Sequence, residues 1–143
     1  MKRPYFFIVS ILGSALFGFL AADTTISGVV THVRDVDTIE VDGLAIRLNG
    51  LDGPELSEPF GLEARSWFIN ILENQKVSCS LNGDKTYDRL VGTCFLPNGK
   101  DIAEAIVEAG YGRDCPRYSG GKYAEFENET SRAHKAHKYC EER

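Results

Sequence analysis

ISGVVTHVRDVDTIEVDGLAIRLN, residues Ile26–Asn49, decides the fold by the way it alternates. Val29, Val30 and Val33 mark a first strand. Thr38-Ile39-Glu40-Val41 alternates as a half-buried second strand should. Asp42-Gly43 follows between the alternating runs, and this dipeptide favours the positive φ angles of a tight hairpin turn. Ala45-Ile46-Arg47-Leu48 returns as a third strand, with Arg47 facing opposite to Ile46 and Leu48.

Outward from this meander, a Gly/Asp/Pro-rich loop runs from Asn49 to Pro59. From Gly61 to Asn74 the spacing becomes helical, with Ala64, Trp67, Phe68, Ile71 and Leu72 on one face, read as core packing. Lys76–Leu81 and Leu90–Leu96 read as a fourth and fifth strand joined by a polar loop, Asn82–Asp88. Pro97-Asn98-Gly99 turns the chain into a second helix, Ile102–Ala109, with Gly110 suited to its C-terminal cap. A last helix is expected over Lys122–Lys138. The order is β-β-β-α-β-β-α-α. Five short strands with a helix after the third suggest an α+β fold, a small closed or partly open barrel of the OB type with about three helices.

The N-terminus reads differently. Met1-Lys2-Arg3-Pro4 is basic, Tyr5–Leu20 is an apolar run, and Ala21-Ala22 precede the first acid, Asp23. This describes a secretory signal peptide, or, if it is retained, a membrane anchor. Residues 23–143 then form a single domain, exported to the periplasm or secreted. Without residues 1–22 the chain loses two cations and no acid, so its formal charge moves from −5 to −7. Such a balance excludes a general polyanion binder. Glu125, Glu127, Glu129, Glu141 and Glu142 fall in the last expected helix among Arg132, Lys135 and Lys138, and read as a solvated face. All four cysteines lie in the exported part, and an even count there reads as disulfides. Cys79 and Cys94 sit on neighbouring strands, and Cys115 and Cys140 bracket the last helical segment, so the expected pairs are 79–94 and 115–140.

Four short clusters carry the chemistry: Asp35-Val36-Asp37-Thr38, Arg47-Leu48, Asp52-Gly53-Pro54-Glu55 and Tyr87-Asp88-Arg89. Each alone is an ordinary turn or loop sequence. Together they offer hard oxygen donors from Asp37, Asp52 and Glu55 and a main-chain carbonyl at Gly53, a set suited to Ca²⁺ or Mg²⁺ rather than zinc. Arg47 and Arg89 supply planar forks matched to phosphate oxygens. No cysteine or hydroxyl–base pair accompanies them, so water is the expected nucleophile.

In order and spacing these clusters resemble those of the staphylococcal nuclease (thermonuclease) family, over nearly all of the chain after residue 25. The resemblance extends to Phe60-Gly61-Leu62-Glu63-Ala64 and to Asn98–Ala105, which open the two helices. It implies an OB-type barrel and a calcium-dependent endonuclease acting on DNA or RNA and leaving 3′-phosphorylated products. Asp37, Asp52 and the Gly53 carbonyl would ligate Ca²⁺, with Thr38 and Glu55 close by through water. Glu55 would be the general base, Arg47 and Arg89 would hold the phosphate and its developing charge, and Tyr87 would contact phosphate. Tyr118 is a candidate base-stacking residue, or equally a packed loop tyrosine.

The chain departs from the family pattern in three ways. Val36 stands where glycine is frequent, Gly53 stands where threonine is common, and the loop after Glu55 is shorter. The Gly112–Lys122 region is similar instead to the exported bacterial branch. The alternative is a nuclease-like module that binds nucleic acid or peptide without cutting. Nothing implies a stable protein partner, a monomer is expected, and membrane contact requires retention of the N-terminal segment. His134 and His137 read as surface residues, His32 as partnerless, and Asn128-Glu129-Thr130 as a glycosylation sequon.

Overall fold

A computed structural model describes residues 24–141; the expected leader and Glu142 lie outside them. The opening stretch forms the expected meander of β1 (Thr24–Asp35), β2 (Thr38–Val41) and β3 (Leu44–Leu48). Asp42 and Gly43 turn with φ of 48° and 81°, the left-handed pair that suits strand twist. The Asp42 carboxylate accepts from the Val29 amide. Val30 and Val33 would face opposite ways on a regular strand. A register shift between Val30 and His32 brings both into the core, as a bulge does, and leaves Val29 exposed.

After the two-residue β4 (Leu51–Asp52) and helix α1 (Gly61–Leu72), β5 (Lys76–Thr86) and β6 (Arg89–Phe95) complete a barrel. β1 pairs with β2 and β5, β2 with β3, β5 with β6, and the parallel pairing of β3 with β6 closes the ring. The core is filled from the barrel by residues such as Val30, Ile39, Ile46 and Leu48. Ala64, Phe68 and Leu72 of α1 and Ile106 of α2 (Ile102–Glu108) add to it. Ile71, expected on the core face, is exposed. Trp67 is half-buried and packs on Tyr111, ring centroids 4.7 Å apart.

Two expectations are corrected. The Asn82–Asp88 loop is strand as far as Thr86, with a bulge between Leu81 and Lys85, so a long hairpin carries Tyr87-Asp88 at its tip. The continuous helix over Lys122–Lys138 is absent. After β7 (Arg113–Asp114) and the one-turn α3 (Pro116–Ser119), the chain makes a 3₁₀ turn at Ala124–Phe126. It continues with α4 (Glu129–Ala133) and a second 3₁₀ turn at Lys138–Cys140. Asn128 explains the break: its side chain accepts from the Ser131 amide while the Ser131 hydroxyl accepts from the Asn128 amide. That reciprocal cap starts a helix and cannot lie inside one. The sequon asparagine is thus a cap that also donates to the Glu108 carbonyl. The described residues hold four short helices, one more than expected. Both disulfides form as expected, Cys79–Cys94 between facing positions of β5 and β6, and Cys115–Cys140.

Candidate active site

The chemistry-bearing clusters meet at an open cleft of about 630 Å³, lined by Asp35, Asp37, Arg47, Glu55, Thr86, Tyr87, Arg89, Tyr118 and Tyr139 among others. Barrel pairing sets this convergence. Thr38 of β2 faces Arg47 of β3, and the parallel β3–β6 ladder starts at Leu90, next to Arg89.

Arg47 is held tightly. Its guanidinium donates to the Leu48 and Leu51 carbonyls at 2.8 and 2.9 Å and lies 3.1 Å from Asp37 Oδ2. Arg89 donates to Thr38 Oγ1 at 3.0 Å and, more loosely, to Thr86. The Thr38 hydroxyl in turn donates to Asp37 Oδ1 at 2.9 Å. Both arginines therefore reach the same buried carboxylate, one directly and one through a hydroxyl. Burial pushes the Asp37 carboxyl up to about 7, against the pull of Arg47. A buried acid whose charge is only partly matched is suited to a cation.

Glu55 is exposed at the cleft, on a tight turn. Its carbonyl accepts from the Glu58 amide and its own amide donates to Glu58 Oε2 at 2.8 Å. A Cβ on Gly61 would lie 1.9 Å from the Glu55 carbonyl, so only glycine lets the α1 terminus close on this turn. Tyr87 is 94% exposed with φ of 56°, and its ring lies 5.9 Å from the Arg89 guanidinium carbon. Tyr118 lines the other wall, about half exposed, beneath Arg117.

Asp52 is placed differently. It is buried behind the cleft, fixed in the β4–β7 pair opposite Arg113. Its Oδ2 accepts from the His137 amide at 3.0 Å and its Oδ1 meets His137 Nδ1 at 2.6 Å, with the Tyr139 hydroxyl at 3.4 Å. Burial pushes the Tyr139 phenol up, so it stays a donor. His137 Nε2 lies 3.2 Å from Glu58 Oε2. Burial alone would lower the His137 pKa, but the Asp52 and Glu58 carboxylates outweigh it and raise it.

The reading of His134 and His137 as surface residues is therefore corrected. His134 is buried, with Nε2 2.6 Å from the Gly110 carbonyl. The expected solvated acidic face is also incomplete, because Glu127 pairs with Arg113 and Arg132 and accepts from the Asp114 amide. His137 and Tyr139 escaped the sequence reading because their partner Asp52 lies 85 and 87 positions away, and Glu58 because it reaches this group only through His137. The only local hint was a histidine two residues before an aromatic and three before a half-cystine.

Val36 and Gly53, two departures from the family pattern, touch each other. A Cβ on Gly53 would stand 2.3 Å from Val36 Cγ1 and 3.7 Å from Asp37 Oδ2. The larger residue at 36 thus requires the smaller one at 53. Among the described residues no three His, Cys, Asp or Glu side chains converge as a ready cage. By donor chemistry, Asp37, Asp52 and a main-chain oxygen are the hard oxygen types a Ca²⁺ shell takes, with water completing it.

A family model described as "Staphylococcal nuclease homologue" matches residues 45–139. The chain is 35% identical over 103 residues to a Rhizobium meliloti protein named Succinoglycan biosynthesis protein ExoI, covering 64% of this chain and 54% of that protein. It is 30% identical over 135 residues to Endonuclease Htp3 of Saprolegnia parasitica, covering 73% and 63%. It is 31% identical over 86 residues to Staphylococcal-like nuclease CAN1 of Arabidopsis thaliana, covering 59% and 26%. The chain spans between 26% and 63% of the length of these relatives.

Proposed function

The chain belongs to the staphylococcal nuclease family, and from that membership we propose that it is a calcium-dependent endonuclease hydrolysing phosphodiester bonds of DNA, RNA or both. The observation that carries this is the convergence of Arg47 and Arg89 on the Asp37–Thr38 pair at a cleft that also presents Glu55. Asp37, Asp52 and the Gly53 carbonyl would hold Ca²⁺, with Thr38 orienting Asp37. Bound there, the ion supplies Lewis-acid polarisation of the phosphoryl group. Arg47, fixed by two main-chain carbonyls, binds a non-bridging phosphate oxygen. Glu55 orients a water and takes its proton as the water oxygen bonds to phosphorus in line. The opposite ester P–O bond breaks, and the departing sugar oxygen is protonated from solvent. Arg89 meets the negative charge that grows on the phosphoryl oxygens. Tyr87 and Tyr118 flank the strand, Tyr87 near phosphate and Tyr118 near a base.

The test is cleavage of single-stranded DNA and RNA in Ca²⁺ and in EDTA, by the wild-type chain, Arg89→Ala and Glu55→Gln. Arg89→Ala should lower kcat by about 10²–10³. Glu55→Gln should lower it by about 10²–10⁴. Equal cutting by wild type and variants would remove both assignments. One observation favours a second reading, a module that binds without cutting: Arg47 and Asp52 already have protein partners. Wild type that binds DNA but does not cut it in Ca²⁺ would select that reading. The two disulfides support work in an oxidising compartment, in line with export through the N-terminal segment.

A further inference from the structure

We propose that His137 is a positioning residue of this active site, a strut from the C-terminal segment that fixes Asp52 and, through Glu58, the turn carrying Glu55. The inference rests on the reading of Asp52 as a calcium ligand. Main chain and ring of the one residue take both Asp52 oxygens, at 3.0 and 2.6 Å. The far ring nitrogen lies 3.2 Å from Glu58 Oε2, and that oxygen also accepts from the Glu55 amide at 2.8 Å. A continuous path therefore runs Asp52–His137–Glu58–Glu55, from the proposed ion ligand to the proposed base. The ring cannot swing freely. It stacks on Tyr139 at 5.2 Å, and three residues later Cys140 is bonded to Cys115, whose amide donates to the Gly50 carbonyl. The segment is thus tied to the chain just before β4, on which Asp52 stands. Asp52 Oδ2, which accepts from the His137 amide, keeps a second lone pair for a cation, whereas Oδ1 meets both His137 Nδ1 and the Tyr139 hydroxyl. Groups that orient a metal ligand in this way typically govern affinity or activity by about 10- to 100-fold.

A fold staple would make the same contacts, so the test must separate stability from ligand orientation. Ca²⁺ alone is titrated calorimetrically into the full chain, for wild type, His137→Ala, His137→Asn and Glu58→Ala. Melting in EDTA and kcat and KM on single-stranded DNA accompany it. His137→Ala should weaken Ca²⁺ binding about 10- to 100-fold and lower kcat while KM stays near wild type. His137→Asn, whose amide nitrogen can stand where Nδ1 stands, should recover most of the affinity. Glu58→Ala, at a partly exposed position, leaves the contact to Asp52 and should lower kcat with little change in Ca²⁺ affinity. Ca²⁺ affinity in folded His137→Ala equal to or tighter than wild type would overturn the proposal, as would a wild type that binds no Ca²⁺. Should His137→Ala not fold, His137→Asn that folds but binds Ca²⁺ no better than an Asp52→Asn control would overturn it. Ca²⁺ binding that depends on His137 in a wild type that cuts nothing would uphold the strut and refute the nuclease reading.

Discussion

Val36 and Gly53 show how one residue's size constrains another beside the proposed ion site. The added methyl at 53 would sit 2.3 Å from Val36 Cγ1, and overpacking of this kind costs about 1–3 kcal/mol. Gly53→Thr should lower the melting temperature accordingly. Adding Val36→Gly should recover much of the loss, a coupling that a double-mutant cycle reads directly. Gly61→Ala acts on the other side of the cleft by pushing against the Glu55 carbonyl. It should lower kcat beyond what its loss of stability explains, measured well below its melting temperature. The side chains proposed to do chemistry were legible in the sequence because hard acids and arginines stood in short clusters on strand ends and loops. His137 was not, because its meaning lies in a carboxylate far along the chain.

At the scale of elements, the β5–β6 hairpin forms one wall of the cleft. Its two-residue tip holds Tyr87 in a left-handed conformation, φ 56°, and almost fully exposed. A non-glycine residue there is strained by about 1 kcal/mol. Tyr87→Gly should therefore raise stability slightly in thermal melts while raising KM for nucleic acid, opposite signs that a merely structural tyrosine would not give. Alternation and the helical period marked the barrel strands, α1 and α2, because those elements each bury one face. The hairpin's extension was hidden because Asn82–Thr86 is polar on both sides and lies beyond the core. β4 and β7 are two residues each, too short for any period. The C-terminal segment, with its Asn128 cap, is held by caps, ion pairs and a disulfide rather than by an apolar stripe.

Across the whole molecule, the two disulfides should have separable roles. Cys79–Cys94 spans 15 positions within the barrel wall and Cys115–Cys140 spans 25 between the segments around Asp52. Replacing either pair by serine should cost about 3 kcal/mol. Only the Cys115/Cys140 replacement should also weaken Ca²⁺ binding, read by titration at a temperature where both variants are folded. The ring of five strands was legible as an order of elements, while the closing β3–β6 pairing is a long-range contact that no local pattern announces. The proposed phosphate contacts of Arg47 and Arg89 predict cleavage that weakens as salt rises. The central claim is tested most directly by incubating the purified chain, disulfides intact, with single-stranded DNA and RNA at low salt in Ca²⁺ and in EDTA. Expected is cutting in Ca²⁺ that stops in EDTA and falls at least about 100-fold in Arg89→Ala. Cutting that ignores EDTA, or no cutting by wild type at any salt, would contradict it.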